Sequence, residues 1–155
     1  MRTRMAVAAF LALFVLGCQP KQREVPTFVY DSPRVTELSA AAHAKDVGGY
    51  VSLILPPTRS MSPTLEIGDY VVVSSPANDP FENIVAGDPV RYLAHGSPHF
   101  SPDTGAIIHR AVLKDSYGWI MSGDANAHSE SKWRLTRENY LGRAVAIYRT
   151  WSLSN

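Results

Sequence analysis

Hydrophobic and polar positions divide the chain into three stretches. An unbroken apolar run occupies residues 5–17, a polar stretch marked by prolines follows it, and from Tyr50 onward short apolar runs alternate with turn residues. The runs after Tyr50 are rich in Val, Ile and Tyr, and Pro or Gly-Asp pairs bound several of them, which is typical of β-strands. The pattern predicts six strands, at residues 50–55, 70–73, 89–93, 106–113, 118–121 and 141–148.

Six short strands within roughly one hundred residues favour a mostly β fold, either a compact antiparallel β-barrel or a domain of paired sheets. The stretch before these strands has a different pattern. Residues 34–45 predict a short helix, with Ser32 as the candidate N-cap and Gly48-Gly49 beyond its end. Residues 19–32, which are polar and interrupted by prolines, are expected to form a tether.

The apolar run near the start of the chain has the features of an export signal. It follows two arginines, and as a helix of thirteen residues it would rise only about 20 Å, against roughly 30 Å of bilayer hydrocarbon. A run that is too short to span a membrane fits the hydrophobic region of a secretory signal peptide.

The only cysteine of the chain ends the sequence Val15-Leu16-Gly17-Cys18 directly after this run. The arrangement resembles a bacterial lipoprotein signal, in which the cysteine is diacylated and becomes the new N-terminus. The alternative is an ordinary signal peptide, or a short uncleaved anchor, with an incidental cysteine. Because two acyl chains give stable anchoring, we expect an exported chain, lipid-anchored to a bacterial membrane and facing the periplasm or the cell exterior. The expected divisions are residues 1–17 as the lipoprotein signal peptide, 18–48 as the tether and helix, and 49–155 as the folded domain.

Composition excludes several classes of function. Fifteen Lys and Arg residues against fourteen Asp and Glu residues give a net charge of +1 without a basic cluster, so we expect no nucleic-acid partner. One cysteine allows neither an intramolecular disulfide nor a multi-cysteine zinc site. His95, His99 and Asp103 could suggest a metal site, but their spacing matches no rigid pair of ligands. We therefore expect neither a metal nor another cofactor.

Two residues are candidates for covalent chemistry. Ser60 follows a predicted strand, in a turn with prolines on both sides that can present its hydroxyl at a fixed angle. His109 lies within an otherwise apolar predicted strand. A serine hydroxyl becomes a good nucleophile only when a neighbouring base takes its proton, and histidine can perform that task near neutral pH.

Several motifs resemble those of the signal peptidase I family and occur in the family's order between residues 58 and 148. Ser60-Met61-Ser62-Pro63-Thr64-Leu65 is similar to the S-M-x-P-T-L nucleophile motif, and Gly68-Asp69 is similar to its continuation. The other matching segments are Gly87-Asp88-Pro89-Val90-Arg91-Tyr92, His109-Arg110, Gly123-Asp124 and Leu141-Gly142-Arg143-Ala144.

The resemblance implies a signal-peptidase-type catalytic domain at residues 49–155, with Ser60 as the nucleophile and His109 as the general base. Most bacterial members use lysine as the base, and His109 resembles the Ser/His form of archaeal, endoplasmic-reticulum and some bacterial signal peptidases. The nearest lysine, Lys114, is expected to point away from His109 because side chains of a strand alternate between its faces. The family also implies that the Thr58 hydroxyl and the Ser60 backbone N–H stabilise the oxyanion.

The last motif departs from the family pattern. Ala125 stands where the family has Asn, and Glu130 matches the family's acidic residue only with a one-residue shortening before it. Without that gap, Ser131 occupies the acidic position. We expect Glu130 to orient His109. The aspartates of the Gly-Asp pairs are expected to form turns or to be structural rather than catalytic: Asp69, Asp88 and Asp124.

The leader and the resemblance together predict a membrane-tethered serine endopeptidase that cleaves signal-peptide-like segments of exported preproteins. The implied substrate is an extended peptide with small side chains at the positions one and three before the cut. Two alternatives stay open. The chain can be a dedicated processing peptidase for a pilin, conjugation or phage component, or a catalytically inactive lipoprotein that binds peptides. These alternatives stay open for two reasons. Members of the family are usually held by transmembrane helices rather than by a lipid, and Ala125 departs from the family's last motif.

Overall fold

The computed structural model of the chain describes residues 23–55, 59–94, 105–127 and 129–151, with residues 130–133 described by their backbone alone. The expected signal peptide and the lipidation site lie outside these ranges. Within them, the elements in chain order are β1 (Thr27–Tyr30), α1 (Pro33–Asp46), β2 (Gly49–Leu53), β3 (Tyr70–Ser74), a 3-10 turn (Phe81–Asn83), β4 (Pro89–Leu93), β5 (Ala106–Asp115), β6 (Gly118–Ser122), β7 (Glu130–Leu135) and β8 (Tyr140–Thr150).

The strands form one sheet in the order β2-β3-β8-β4-β5-β6-β7, with antiparallel pairing along this path. β1 lies off the path and pairs in parallel with the last part of β8. The predicted mostly β fold is confirmed. The sheet is open, because no ladder among the described strands joins β2 to β7, so the expectation of a closed barrel is wrong. The long strand β8 contacts β1, β3 and β4, which joins the strands into one sheet rather than two.

All six predicted strands are present, and the helix predicted at residues 34–45 corresponds to α1. The pattern does not predict β1 or β7. β1 lies in the stretch assigned to a tether, and that assignment is wrong for Thr27–Tyr30, which pair with Ile147–Thr150. This strand has four residues and its partner lies at the other end of the sequence, so no local pattern marks it. β7 is hidden because Glu, Ser, Lys and Arg occupy most of its positions.

Helix α1 packs on one face of the sheet. Pro33 takes the first helical position, where its fixed φ suits the helix and its missing N–H has no intrahelical partner to lose. The Ser32 carbonyl accepts hydrogen bonds from the Thr36 backbone N–H at 3.0 Å and from the Thr36 hydroxyl at 2.8 Å. The small buried residues Ala40 and Ala44 let the helix lie close to β3 and β8. α1 therefore belongs to the folded domain.

The opposite face of this part of the sheet carries the turn that follows β2. Met61 and Leu65 of this turn are 4% and 3% exposed and pack with Val71 and Val73 of β3. Burial of a methionine or leucine side chain contributes roughly 1.5–3 kcal/mol. These two apolar anchors therefore fix the turn that begins at Ser60 against the sheet.

Two turns built from Gly-Asp pairs have the same construction. The glycine adopts a positive φ, +94° at Gly68 and +97° at Gly87, which favours glycine. The carboxylate of the following aspartate accepts a backbone N–H from the residue three positions earlier, at 2.8 Å for Asp69 and 3.0 Å for Asp88. The turn-forming role expected of both aspartates is confirmed.

Gly142 of β8 lies where the sheet leaves no room for a side chain. Its φ is +141°, and a Cβ atom there would overlap the Ser74 carbonyl oxygen and lie 2.7 Å from Val73 Cγ1. We expect Gly142→Ala to lower the free energy of unfolding by more than about 3 kcal/mol, because steric overlap adds to backbone strain. Gly68→Ala is the matched control, since its φ is also positive but nothing lies within 4 Å.

The control should cost only about 1–2 kcal/mol. Urea denaturation followed by circular dichroism measures both variants. Equal losses of stability for Gly142→Ala and Gly68→Ala would contradict the close packing between β3 and β8.

Candidate active site

Ser60 and His109, the two residues selected from the sequence for covalent chemistry, are in contact. The His109 Nε2 atom lies 2.8 Å from the Ser60 Oγ atom. His109 is 4% exposed, and it lies in β5 opposite Val90 with the Tyr92 ring in edge contact at 6.4 Å between centroids. At 2.8 Å an unprotonated imidazole nitrogen can accept a hydroxyl proton. The contact therefore has the geometry of a base beside a nucleophile.

Ser60 reaches His109 at a place where β6 no longer pairs with β5. β6 ends at Ser122 opposite Arg110, so in the described part of the chain it covers β5 only from Arg110 onward. The residues after β6 turn toward Ser60 instead, and the Ala125 N–H donates a 2.8 Å hydrogen bond to the Ser60 carbonyl. The end of β6 thus opens the space beside β5 that Ser60 occupies.

Gly123 lies directly against the candidate nucleophile. A Cβ atom there would overlap the Ser60 carbonyl oxygen and lie 2.9 Å from both Ser60 Cβ and Asn126 Nδ2. Only a glycine lets the backbone approach this closely. The side-chain amide of Asn126 also lies beside Gly123, and the sequence did not indicate this position.

The guanidinium of Arg110 holds together four segments that surround the Ser60–His109 contact. Its Nε and Nη2 atoms donate to the Asp124 carboxylate, both at 2.7 Å, and Nη2 also donates to the Thr64 hydroxyl at 3.2 Å. Its Nη1 atom donates to the carbonyls of Gly87 at 2.7 Å and Arg23 at 3.0 Å. These five hydrogen bonds match the five donors of a guanidinium. The pairing agrees with the structural role expected of Asp124.

Further buried carboxylates fix the turns around the site. Asp69 is 2% exposed and pairs with Arg149 at 2.6 Å. The hydrogen bonds that Arg149 donates to this carboxylate raise the pKa of its guanidinium, so Arg149 stays charged. Asp79 accepts a 2.7 Å hydrogen bond from Arg143 in β8. Fixed charge pairs therefore connect β8 to the turn after β2 and to the segment before β4.

The expectation that Lys114 points away from the His109 side is wrong. A bulge between Ala111 and Leu113 shifts the alternation of β5 by one residue. Lys114 pairs with Trp119, which shares a buried cluster with Ala111, so Lys114 lies on the face of His109. Its ammonium nevertheless lies over the Trp119 ring, 5.8 Å from the centroid. Lys114 lies five residues after His109, which is roughly 15 Å along the strand, and a cation–π contact holds its ammonium at the Trp119 ring.

Thr58, the expected oxyanion donor, lies outside the described ranges, and so do the three residues whose metal-binding role the sequence did not favour: His95, His99 and Asp103. Glu130 begins β7 opposite Met121 of β6, and its backbone alone is described. The oxyanion role of Thr58 and the orienting role of Glu130 stay predictions.

No protein-family model matches the chain, and no curated protein matches it. The described residues include no helix of the length and hydrophobicity needed to cross a membrane. In the same residues, no group of three or more His, Cys, Asp or Glu side chains is arranged to hold a metal ion. The described site brings together a serine hydroxyl, a buried imidazole and a scaffold centred on one arginine.

The Arg110–Asp124 pair is expected to be essential for stability. Both side chains are almost fully buried, at 7% and 5% exposed. Arg110→Met would leave a buried carboxylate without its cation, so we expect a loss of about 3–5 kcal/mol in the free energy of unfolding. Arg34→Met is the control, because the Arg34–Glu37 pair is 72% and 51% exposed and should contribute at most about 1 kcal/mol.

Urea denaturation of both variants measures these losses. Similar small effects for Arg110→Met and Arg34→Met would show that the five hydrogen bonds of Arg110 do not hold the site together.

Proposed function

We propose that this chain is a membrane-tethered serine endopeptidase that cleaves signal-peptide-like segments of exported proteins. The observation that carries the proposal is the 2.8 Å contact between Ser60 Oγ and His109 Nε2. The resemblance of the motifs around both residues to those of the signal peptidase I family supports it. The lipoprotein-type leader supplies the membrane tether in this proposal.

In the proposed mechanism, Ser60 Oγ attacks the scissile carbonyl carbon while His109 Nε2 takes the hydroxyl proton. The resulting tetrahedral intermediate collapses to an acyl-enzyme. His109 gives its proton to the leaving amine as the peptide bond breaks. A water molecule then attacks the acyl carbon, His109 takes a proton from that water, and Ser60 regains a proton when the acid product leaves. The same imidazole therefore serves both halves of the reaction.

The close packing around Ser60 suits the stabilisation of an oxyanion. The Ser60 backbone N–H and the Thr58 hydroxyl are the proposed donors, and loss of one such donor costs about 2.7–4 kcal/mol of barrier. A donor is effective only when it is held in place before the reaction. The Ala125 hydrogen bond and the contact with Gly123 hold the Ser60 backbone in this way.

The outer edge of β2 can receive an extended peptide in this proposal. β2 is the end strand of the described sheet, and the chain continues from it through Ile54 toward Ser60. The inner side of Ile54 is occupied, since its N–H donates to the Asp69 carbonyl and its carbonyl accepts from Gly68. The outer edge is the side on which an additional strand can pair.

A protein substrate tests the proposal directly. Residues 19–155 are incubated with a preprotein in detergent micelles, and the products are identified by mass spectrometry. We expect a cut after a small residue, and a loss of at least about a thousand-fold in kcat/KM for Ser60→Ala and for His109→Ala. Ser62→Ala is the matched control from the same turn, because its hydroxyl donates to Glu66 at 2.6 Å, away from His109.

Ser62→Ala should stay within a few-fold of the unchanged chain, and circular dichroism should show the same fold for all variants. Turnover of Ser60→Ala at the unchanged rate would contradict the proposal. Binding of the preprotein without any cut would favour the inactive peptide-binding lipoprotein, for which Ala125 is the relevant departure from the family. Cleavage of one pilin, conjugation or phage protein alone would indicate a dedicated processing peptidase.

The pH dependence of turnover tests the role of His109. Protonation of the imidazole removes the acceptor for the Ser60 proton, so kcat/KM should fall by about tenfold per pH unit on the acidic limb of the profile. Initial rates from about pH 5 to about pH 8 at constant ionic strength measure this limb. Substrate binding over the same range is the control. A flat profile would exclude His109 as the base.

A further inference from the structure

A small pocket lies on the sheet face opposite to α1. It is formed by the segment before β1, the turn after Ser60 and the end of β8, and its volume is about 270 Å³. Pockets for small molecules typically measure about 300–1,000 Å³, so this pocket suits a small chemical group. Its apolar lining comes from Val25, Pro63 and Ile147.

The pocket is a different site from the Ser60–His109 contact. Arg110 belongs to its described lining, whereas the neighbouring His109 does not. Adjacent residues of a strand point to opposite faces, and these two residues pair in regular register with Pro89 and Val90 of β4. A ligand of the pocket would therefore contact the side of β5 that faces away from the His109 imidazole.

Three arginines follow one another along the pocket wall. Arg110 donates to the Arg23 carbonyl at 3.0 Å and to the Thr64 hydroxyl at 3.2 Å. Arg149 donates to the Thr64 carbonyl at 3.5 Å. All three arginines line the pocket, so three positive charges border one small space.

Two of these arginines have hydrogen-bond donors that no described residue uses. Arg23 bonds the Asp88 carboxylate through Nη1, at 3.0 Å, which leaves its Nε and Nη2 atoms. Arg149 bonds the Asp69 carboxylate through Nε at 2.8 Å and Nη2 at 2.6 Å, which leaves its Nη1 atom. Because these donors belong to two separate guanidinium groups, one ligand that contacts both must have several acceptor atoms.

The aspartates that neutralise these arginines lie behind them. The side chains of Asp88 and Asp69 are 0% and 2% exposed, whereas those of Arg23 and Arg149 are 55% and 33% exposed. An anion that enters from solvent therefore meets N–H groups before it meets these carboxylates. Glu24 also lines the pocket, but it is exposed and able to turn toward water.

We propose that this pocket binds the phosphate group of a small phosphate monoester. Such a group carries a charge of about −1.5 to −2 at pH 7 and three strong acceptor oxygens, so it can bond two guanidinium groups at once. A carboxylate has only two oxygens and is satisfied by one guanidinium. A soluble ester and the headgroup of a phospholipid share this chemistry. The inference does not depend on the proposed peptidase function.

The first experiment is an NMR titration of the isotope-labelled full chain in dodecyl maltoside micelles, near neutral pH and at constant ionic strength. The Thr64 amide and the Arg149 Nε–H resonances should shift saturably with inorganic phosphate and with glycerol phosphate, with a Kd on the order of 1 mM. Acetate should bind at least about tenfold more weakly. The absence of a saturable shift, or equal affinities for acetate and phosphate, would overturn the inference.

The variant Arg23→Gln removes one of the two guanidinium groups with little risk to the fold. Asp88 keeps a hydrogen bond from the Val85 N–H at 3.0 Å and one from Arg143 at 3.4 Å. We expect this variant to bind phosphate at least about tenfold more weakly, because charge-assisted hydrogen bonds are lost. An unchanged Kd would show that phosphate binds elsewhere.

A second variant keeps every arginine and adds a negative charge to the pocket. Thr27 lines the pocket at an exposed position of β1, so the carboxylate of Thr27→Glu should repel phosphate and weaken its binding about tenfold. Leu38→Glu is the matched control, because it adds the same charge at a 52% exposed position of α1, across the sheet. Its Kd should stay within about twofold of the unchanged chain. Equal weakening by both variants would contradict a localised site, and circular dichroism checks that both are folded.

A final titration identifies the source of the phosphate. Phosphatidic acid, a lipid with a phosphate monoester, is added to the micelles, and diacylglycerol is the phosphate-free control. Tighter binding of phosphatidic acid than of glycerol phosphate would assign the pocket to a lipid headgroup, and the reverse order would assign it to a soluble ester. In either case Arg23→Gln must weaken the tighter interaction, and a failure to do so would overturn the inference.

Discussion

The arrangement around Ser60 and His109 depends on the burial of one positive charge. An arginine that is 7% exposed is tolerated only when hydrogen bonds and an opposite charge replace the water that it has lost. For Arg110, those partners come from the segment before β1, the turn before β4, the turn after Ser60 and the loop after β6. Each of the four segments must be in place before the charge is satisfied. The surroundings of the Ser60–His109 contact therefore form together rather than piece by piece.

Backbone contacts, more than side chains, set the position of the candidate nucleophile. Gly123 lies against the Ser60 carbonyl, and the Ala125 N–H donates a hydrogen bond to that carbonyl. Met61, the residue after Ser60, is anchored in the core. Such contacts tolerate little displacement, because interiors are close-packed and a backbone atom cannot rotate away as a side chain can. A hydroxyl that is held in this way needs no rearrangement to meet its base, which suits the proposed chemistry.

The sequence was most informative where the physics is local. The alternation and turn residues predicted six strands and α1, and the motifs selected Ser60 and His109, which the structure brings into contact. Non-local effects escaped the prediction. β1 forms by pairing with β8, which lies at the far end of the chain. A single bulge in β5 places Lys114 on the face opposite to the one that strict alternation predicts. The contacts of Arg23 were equally hidden, because their partners are distant in the sequence.

The central position of β8 has a consequence for the order in which the chain folds. β3 and β4 each pair with β8, and β1 pairs only with its last residues in the described sheet. Before residues 140–150 join the sheet, the part of the described sheet that carries Ser60 and the part that carries His109 share no strand. Contacts between sequence-distant segments also form slowly, since a long loop must close first. The chain therefore holds Ser60 and His109 apart until β8 forms, so the proposed site is assembled only when the last described strand is in place.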